Sequence, residues 1–140
     1  MPDNVSFRSS CPIATTLDIV GDKWSLLILR DMVFQGACHF GAFVTSEERI
    51  ASNVLAERLA RLVRHGLLTG APDPDDRRKI RYTLTEKGWA IVPVMLEMVV
   101  WAAEHENTAA PPPVVAAIKA DREAFIAMLR AQSTVGAPHP

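Results

Sequence analysis

A chain of 140 residues is one domain of ordinary size, long enough to bury a core. Nearly half of its residues are hydrophobic and 22% are charged, which fits a soluble globular protein, and the apolar share is high for so few aromatics, as in chains with buried helices or a subunit interface. No apolar run reaches the roughly 18 residues of a membrane span, and the opening MPDNVSFRSSCP lacks the charged-then-apolar pattern of a signal peptide. A cytoplasmic protein with no membrane partner is expected, and its two cysteines, Cys11 and Cys38, are too few for a disulfide framework.

In chain order, residues 1–10 are polar and read as a flexible N-terminus. A first helix is predicted over Pro12–Val20, with Pro12 at the first turn, where its missing N–H costs nothing. Gly21 ends it and Asp22 is placed to cap the next helix, Lys23 to about Phe34. That second helix is apolar on most sides and belongs at the centre of a core. A short helix around Phe40–Val44 and a polar turn through Thr45–Glu48 follow. A helix from about Ala51 to His65 then carries Leu55, Leu59, Leu62 and Val63 as its inward face, and Gly66 stops it. Leu67–Ala71 and Lys79–Leu84 read as two strands around an Asp- and Pro-rich turn, Pro72–Arg78. Thr85 caps a long apolar helix running from about Glu86 to His105, with Pro93 bending it. Residues 107–113, with three consecutive prolines, form a spacer. A last amphipathic helix covers 114–132, and 133–140 read as a disordered tail.

A helix followed at once by a basic hairpin is how a winged helix-turn-helix meets DNA: the helix enters the major groove and the hairpin lies along the phosphates. The net charge of −1 alone argues against a nucleic-acid partner, yet it is unevenly spread. From Arg58 to Arg81 there are seven basic and three acidic residues, so this window is +4 and the remainder −5. A basic patch on one face is what DNA requires. The fold class expected is therefore mainly α with a small β-hairpin wing.

The ordered set Cys11-Pro12-Ile13, Leu17-Asp18-Ile19-Val20-Gly21-Asp22-Lys23-Trp24 and Leu27-Ile28-Leu29-Arg30-Asp31 resembles the opening of the HxlR-type bacterial transcription regulators. Phe40-Gly41, Ile50 to Leu55, Arg58-Leu59, Gly66-Leu67 and Tyr82 to Gly88 continue the likeness, which covers roughly residues 11–105. The resemblance implies a winged helix-turn-helix domain over 11–106, related in architecture to the MarR type, with added N- and C-terminal dimerisation helices. It implies a homodimer on a palindromic operator in double-stranded DNA. No cofactor is expected. It also implies a small-molecule or electrophile effector in some members, acting in part through a cysteine near the first helix, here Cys11. The sequence departs from the pattern at Arg49, where many relatives have Gly, so the turn entering the recognition helix is expected to differ slightly.

Helical periodicity turns Ser52, Asn53, Ala56, Glu57 and Ala60 outward, and the N-terminal half of a recognition helix reaches the bases. Asn53 is the best base reader, because its amide pairs with adenine N6 and N7. Ser52 is a base or phosphate contact, or a helix cap. Ala56 fits a thymine methyl. Glu57 would repel phosphate, so it either accepts from cytosine or pairs with Arg61 one turn on, and the pairing is the expectation. Arg58 and Arg61 have positioning roles on the backbone, and Arg77, Arg78, Lys79 and Arg81 are candidates for the phosphates or the minor groove. Lys79 and Arg81 fall on one face of the second strand, opposite Ile80 and Tyr82, and Arg78 is the first choice for groove entry. Ile13, Leu17, Val92, Met95, Val99, Phe125 and Leu129 are the expected dimer interface, because the helix over 86–105 is too apolar to face one small core. Cys11 precedes a helix, where free N–H groups and the dipole favour a thiolate; the alternative is a small residue packed at a helix start.

An enzyme is not expected. His39, His65, His105 and His139 make no metal-spaced pair, Cys38-His39 is poor chelating geometry, and no Gly-rich phosphate loop, nucleophile elbow or paired-carboxylate pattern is present. Nothing near Cys38 in the sequence activates it. The function expected is sequence-specific DNA binding, in the sense of a repressor; the alternative is a winged-helix module that binds proteins without specific DNA binding.

Overall fold

The computed structural model describes residues 6–135; the outer parts of the expected flexible ends, 1–5 and 136–140, lie outside the described residues. In chain order the elements are α1 Pro12–Val20, α2 Ser25–Gln35, α3 Phe40–Val44, α4 Ser52–Arg64, β1 Leu68–Pro72, β2 Ile80–Leu84, α5 Glu86–Ala90, α6 Val92–His105, α7 Pro112–Ala120 and α8 Arg122–Val135. The chain forms two compact units, one ending at Trp89 and the other beginning at Ala90.

The first unit is a winged helix. Its core is built from Val20 of α1, Ile28, Leu29, Met32 and Val33 of α2, Phe43 of α3, Leu55, Leu59 and Leu62 of α4 and Leu68 of β1. Burying each of these apolar side chains stabilises the fold by about 1.5–3 kcal/mol. β1 and β2 pair antiparallel with Leu68 opposite Leu84 and Pro72 opposite Ile80. Gly66 takes φ 80°, in the left-handed region, so the chain reverses from α4 into β1 at a residue with no Cβ to obstruct it. At Gly88 a Cβ would overlap the Leu67 carbonyl, so glycine lets α5 lie directly against the strand entry. Residues 6–10 are tied back to the fold rather than free: Arg8 pairs with Asp18 at 2.5 Å, and Phe7 stacks on His65 with ring centroids 6.3 Å apart.

In the second unit α6, α7 and α8 pack on one another, with Leu96, Ile118 and Leu129 buried. Lys119 of α7 pairs with Glu104 of α6 at 2.8 Å, and Arg122 of α8 pairs with Glu97 of α6. Three expectations change here. The helix expected over 86–105 is two helices, and Pro93 lies in the first turn of α6, where it begins a helix instead of bending one. The helix expected over 114–132 is also two: Asp121 is extended, at φ −162° and ψ 99°, and its Oδ1 accepts the N–H of Ala124 to start α8. The proline spacer is shorter than expected, because Pro112 and Pro113 open α7.

Candidate nucleic-acid interface

α4 follows the leucine stripe. Leu55, Leu59 and Leu62 are buried, and Ser52, Asn53, Ala56, Glu57 and Ala60 are exposed. Val63, expected inward, is instead 38% exposed, because it sits at the edge of the apolar stripe next to the helix end. Ala51 is the N-cap and no side chain caps this helix, so Ser52 is the first helical residue and is not the cap. The first N–H groups of α4 are thus left to external acceptors.

The opposite flank of α4 is clamped to the turn between α1 and α2. Arg58 donates its Nε–H to Asp22 Oδ2 at 2.8 Å, and Arg61 donates to the Asp18 carbonyl at 2.6 Å. Asp22 also accepts the N–H groups of Trp24 and Ser25, each at 3.0 Å. Partial burial pushes the Asp22 carboxyl up, but the Ser25 hydroxyl, the Trp24 N–H and Arg58 outweigh it and hold its pKa at about 2. Glu57 pairs with its neighbour Arg58, not with Arg61 as expected, since Arg61 is drawn to α1. The turn leading into α4 is fixed by a bidentate pair in which Arg30 of α2 holds both Glu48 oxygens at 2.7 Å. Arg49 stands next to it at φ 56°, in the left-handed region. The turn therefore takes the conformation natural to glycine even though arginine occupies the position.

The wing loop is organised by Asp73, whose side chain is 4% exposed. It accepts the N–H of Asp75 at 2.7 Å, meets His39 Nε2, and pairs with Arg81 at 3.3 Å. The Asp75 N–H first, then His39, then Arg81, hold its carboxyl at about 2. Arg81 is thereby turned toward the base of the loop and away from the tip. Arg78 is 91% exposed at the tip, where Asp76 pairs with it at 3.0 Å. Arg77 and Lys79 are exposed and make no ion pair among the described residues, as is true of Arg64. A groove of about 580 Å³ runs between α3 and the wing, lined by His39, Phe40, Arg78, Lys79, Ile80 and Tyr82 among others. Of the seven basic residues in the Arg58–Arg81 window, four are engaged within the chain and three, Arg64, Arg77 and Lys79, carry no such pair among the described residues.

Cys11 is exposed and is the N-cap of α1; its carbonyl accepts the Thr15 N–H at 2.9 Å. The expected interface residues divide. Ile13 and Leu17 are 73% and 54% exposed on one face of α1. Val92, Met95 and Leu129 are instead buried within the single chain and have no surface left for a partner; Val99 and Phe125 are half-buried. The apolar stripe that α6 leaves exposed is Val94, Met98 and Trp101, one turn apart each. On a helix apolar all round, periodicity cannot separate the inward face from the outward one.

Sequence reasoning missed the partners of the basic residues. Asp22 was legible as a cap but not as the anchor of Arg58. Asp73 and His39 are 34 positions apart, and no local pattern joins them. Among the described residues no group of side chains could hold a metal ion, and no helix is long and apolar enough to cross a membrane.

The geometry agrees with known proteins. Residues 19–110 match the family described as HxlR-like helix-turn-helix. The chain is 32% identical over 97 residues to the helix-turn-helix-type transcriptional regulator YdeP of Bacillus subtilis, covering 69% of this chain and 75% of that one. It is similar to the solved structure of PA1607, with a TM-score of 0.66 and 38% identity over 74% of this chain and 71% of the other. It is also similar to the redox regulator HypR in its oxidised form, with a TM-score of 0.61 and 26% identity over 70% of this chain and 100% of that one. With a winged helix, an outward row on α4 and a basic hairpin, the chain belongs to the HxlR-like helix-turn-helix family and is a DNA-binding transcriptional regulator, not an enzyme.

Proposed function

We propose that the protein acts in the cytoplasm as a homodimeric repressor that binds one palindromic operator. The observation that carries this reading is the exposed row Ser52, Asn53 and Ala56 at an N-terminus of α4 that no side chain caps, on a helix locked from behind by Asp22 and Asp18. Asn53 reads adenine in the major groove, Ala56 meets a thymine methyl, and Ser52 with the free backbone N–H groups takes a phosphate. Arg77 and Lys79, with Arg78 once it exchanges Asp76 for phosphate, follow the backbone or enter the minor groove. Arg58, Arg61 and Arg81 act by positioning α4 and the wing.

Two apolar stripes support the homodimer: Ile13 and Leu17 on α1, and Val94, Met98 and Trp101 on α6. A two-fold dimer reads two inverted half-sites. Similarity to a redox regulator, and the exposure of Cys11 at the start of α1, support release of DNA on oxidation of Cys11. Diamide is expected to dissociate the wild-type complex and to spare Cys11→Ser; equal loss in both, or in neither, removes Cys11 from this role.

Selection of duplexes from random DNA with the purified full chain tests the whole reading. Two inverted half-sites, with centres about one or two helical turns apart, are expected. Recovery of DNA with no shared sequence would overturn specific recognition, and recovery of a lone half-site would overturn the two-fold reading.

A further inference from the structure

The loop of the wing, residues 73–79, is closed mostly on itself. Asp73 donates its N–H to the Lys79 carbonyl at 2.9 Å, Lys79 donates its N–H to the Asp76 carbonyl at 2.9 Å, and Asp75 donates its N–H to Asp73 Oδ1 at 2.7 Å. Arg78 pairs with Asp76, and Arg81 of β2 pairs with Asp73. All of these bonds stay inside the hairpin. Among the described residues, one polar contact leaves the loop: Oδ2 of Asp73 meets Nε2 of His39, 34 positions earlier. The carboxylate is buried and ionised, which strengthens the bond.

His39 stands at the N-cap position of α3, yet its side chain caps nothing there and reaches across to the wing instead. The residue before it is tied to the same hairpin, because the Cys38 carbonyl accepts the Tyr82 N–H of β2 at 2.8 Å. The segment 38–39 therefore holds the wing at its second strand and at its loop. It leads directly into α3, which packs on α4 and buries Phe43. A loop that moved about its feet would hold its cations at no fixed distance from Asn53, and ordering it would oppose DNA binding.

We infer that His39 is a positioning residue for DNA binding: it ties the wing loop, through Asp73, to the start of α3, and so sets the spacing between Arg77 and Lys79 on the wing and the base-reading row on α4. It acts through Asp73 and not by contact with DNA. With the tie in place the wing cations meet phosphate already ordered; without it they must be ordered as the complex forms. The effect on DNA rests on the reading of α4 and the wing given above; the tie itself does not.

The test compares three variants of the full chain. His39→Asn and His39→Ser shorten the side chain so that it no longer reaches Asp73, while both residues favour a helix N-cap and so do not weaken α3. His39→Gln carries an amide N–H about where Nε2 stands and can remake the bond. Amide exchange followed by NMR reads the tie without DNA. The Asp73 and Asp75 N–H groups are expected to exchange about fivefold faster or more in the two short variants, and at the wild-type rate in His39→Gln. Wild-type rates in the short variants overturn the tie. Fluorescence anisotropy on the selected duplex reads the consequence. The short variants are expected to bind about tenfold more weakly, with a salt slope lower by about one unit or more, and His39→Gln to restore both. Weaker binding at an unchanged salt slope, or a loss that His39→Gln does not restore, overturns the positioning role. Should one short variant fail to fold, the other decides. If Arg77→Ala and Lys79→Ala leave the salt slope unchanged, the wing does not lie on phosphate; the DNA reading of the wing then fails, and the exchange rates still decide the tie.

Discussion

Arg58, in the middle of α4, donates to the same Asp22 carboxylate that closes the first turn of α2, at 2.8 Å. One side chain thus starts one helix and fixes the azimuth of another. Asp22→Ala removes the acceptor of two N–H groups at the start of α2 and leaves Arg58 only its exposed pair with Glu57, and is expected to cost about 2 kcal/mol in urea unfolding. Arg58→Ala should destabilise as well and should not change the salt dependence of DNA binding. A drop of about one unit in the salt slope with no loss of stability would make Arg58 a phosphate contact instead.

The carboxyls of Asp22 and Asp73 both sit at about 2 in the folded chain, below the usual range of an unfolded aspartate. Their stabilisation is complete above about pH 4 and is lost as pH falls toward 2, because the unfolded chain takes up protons first. Urea midpoints measured from pH 7 to pH 2.5 should therefore fall below about pH 4, and Asp22→Asn should flatten that fall. An unchanged acid limb in Asp22→Asn would show that its charge contributes nothing.

At Arg49 the backbone is left-handed, which costs a side-chain-bearing residue about 1–2 kcal/mol. Arg49→Gly relieves this but loosens the unfolded chain, leaving an expected gain of about 0.5–1 kcal/mol by thermal or urea unfolding. A loss of stability would mean that the Arg49 side chain contributes more than the strain it imposes.

Asn53→Ala should erode discrimination at one base position by about 1–3 kcal/mol and leave binding to unrelated duplexes unchanged. Lys79→Ala and Arg77→Ala should weaken every sequence alike and lower the salt slope by about one unit each. Fluorescence anisotropy on the selected duplex and on single-base variants separates the two patterns; uniform weakening by Asn53→Ala would remove it from base reading.

Trp101→Asp, or Met98→Asp, places a charge on the exposed stripe of α6 and should convert a dimeric mass to a monomeric one in light scattering, with helical content preserved. Val92→Asp should unfold the chain instead, because Val92 is fully buried. A monomeric wild type at micromolar concentration would end the homodimer reading.

The wing, α1 and α4 were legible because their signals are local: a leucine every turn, a proline at a helix start, a glycine at its end. What escaped the sequence was contact between distant polar residues. Arg61 looked like a partner for Glu57 because both lie on one helix, but the Asp18 carbonyl, 43 positions away, is its acceptor. Asp73 is the buried anchor of the wing loop, and its contact with His39 exists only once the hairpin has folded. The breaks at Ile91 and Asp121 were hidden for another reason. Apolar periodicity runs through both, so only Pro93 of α6 and the Asp121 side chain mark them.

The two feet of the wing are joined to each other. Leu68 pairs with Leu84, the Thr85 hydroxyl donates to the Gly66 carbonyl at 2.6 Å, and Lys87 reaches the His65 carbonyl at 2.7 Å. The hairpin is thus an insertion whose ends are closed independently of its tip. Lengthening residues 74–79 adds little loop-closure cost, about 0.6 kcal/mol for each doubling. Tips of different length and charge can then be exchanged on one unchanged scaffold, so that, in the DNA-binding mode proposed above, the phosphate-facing part of the footprint can drift while α4 keeps its register on the bases.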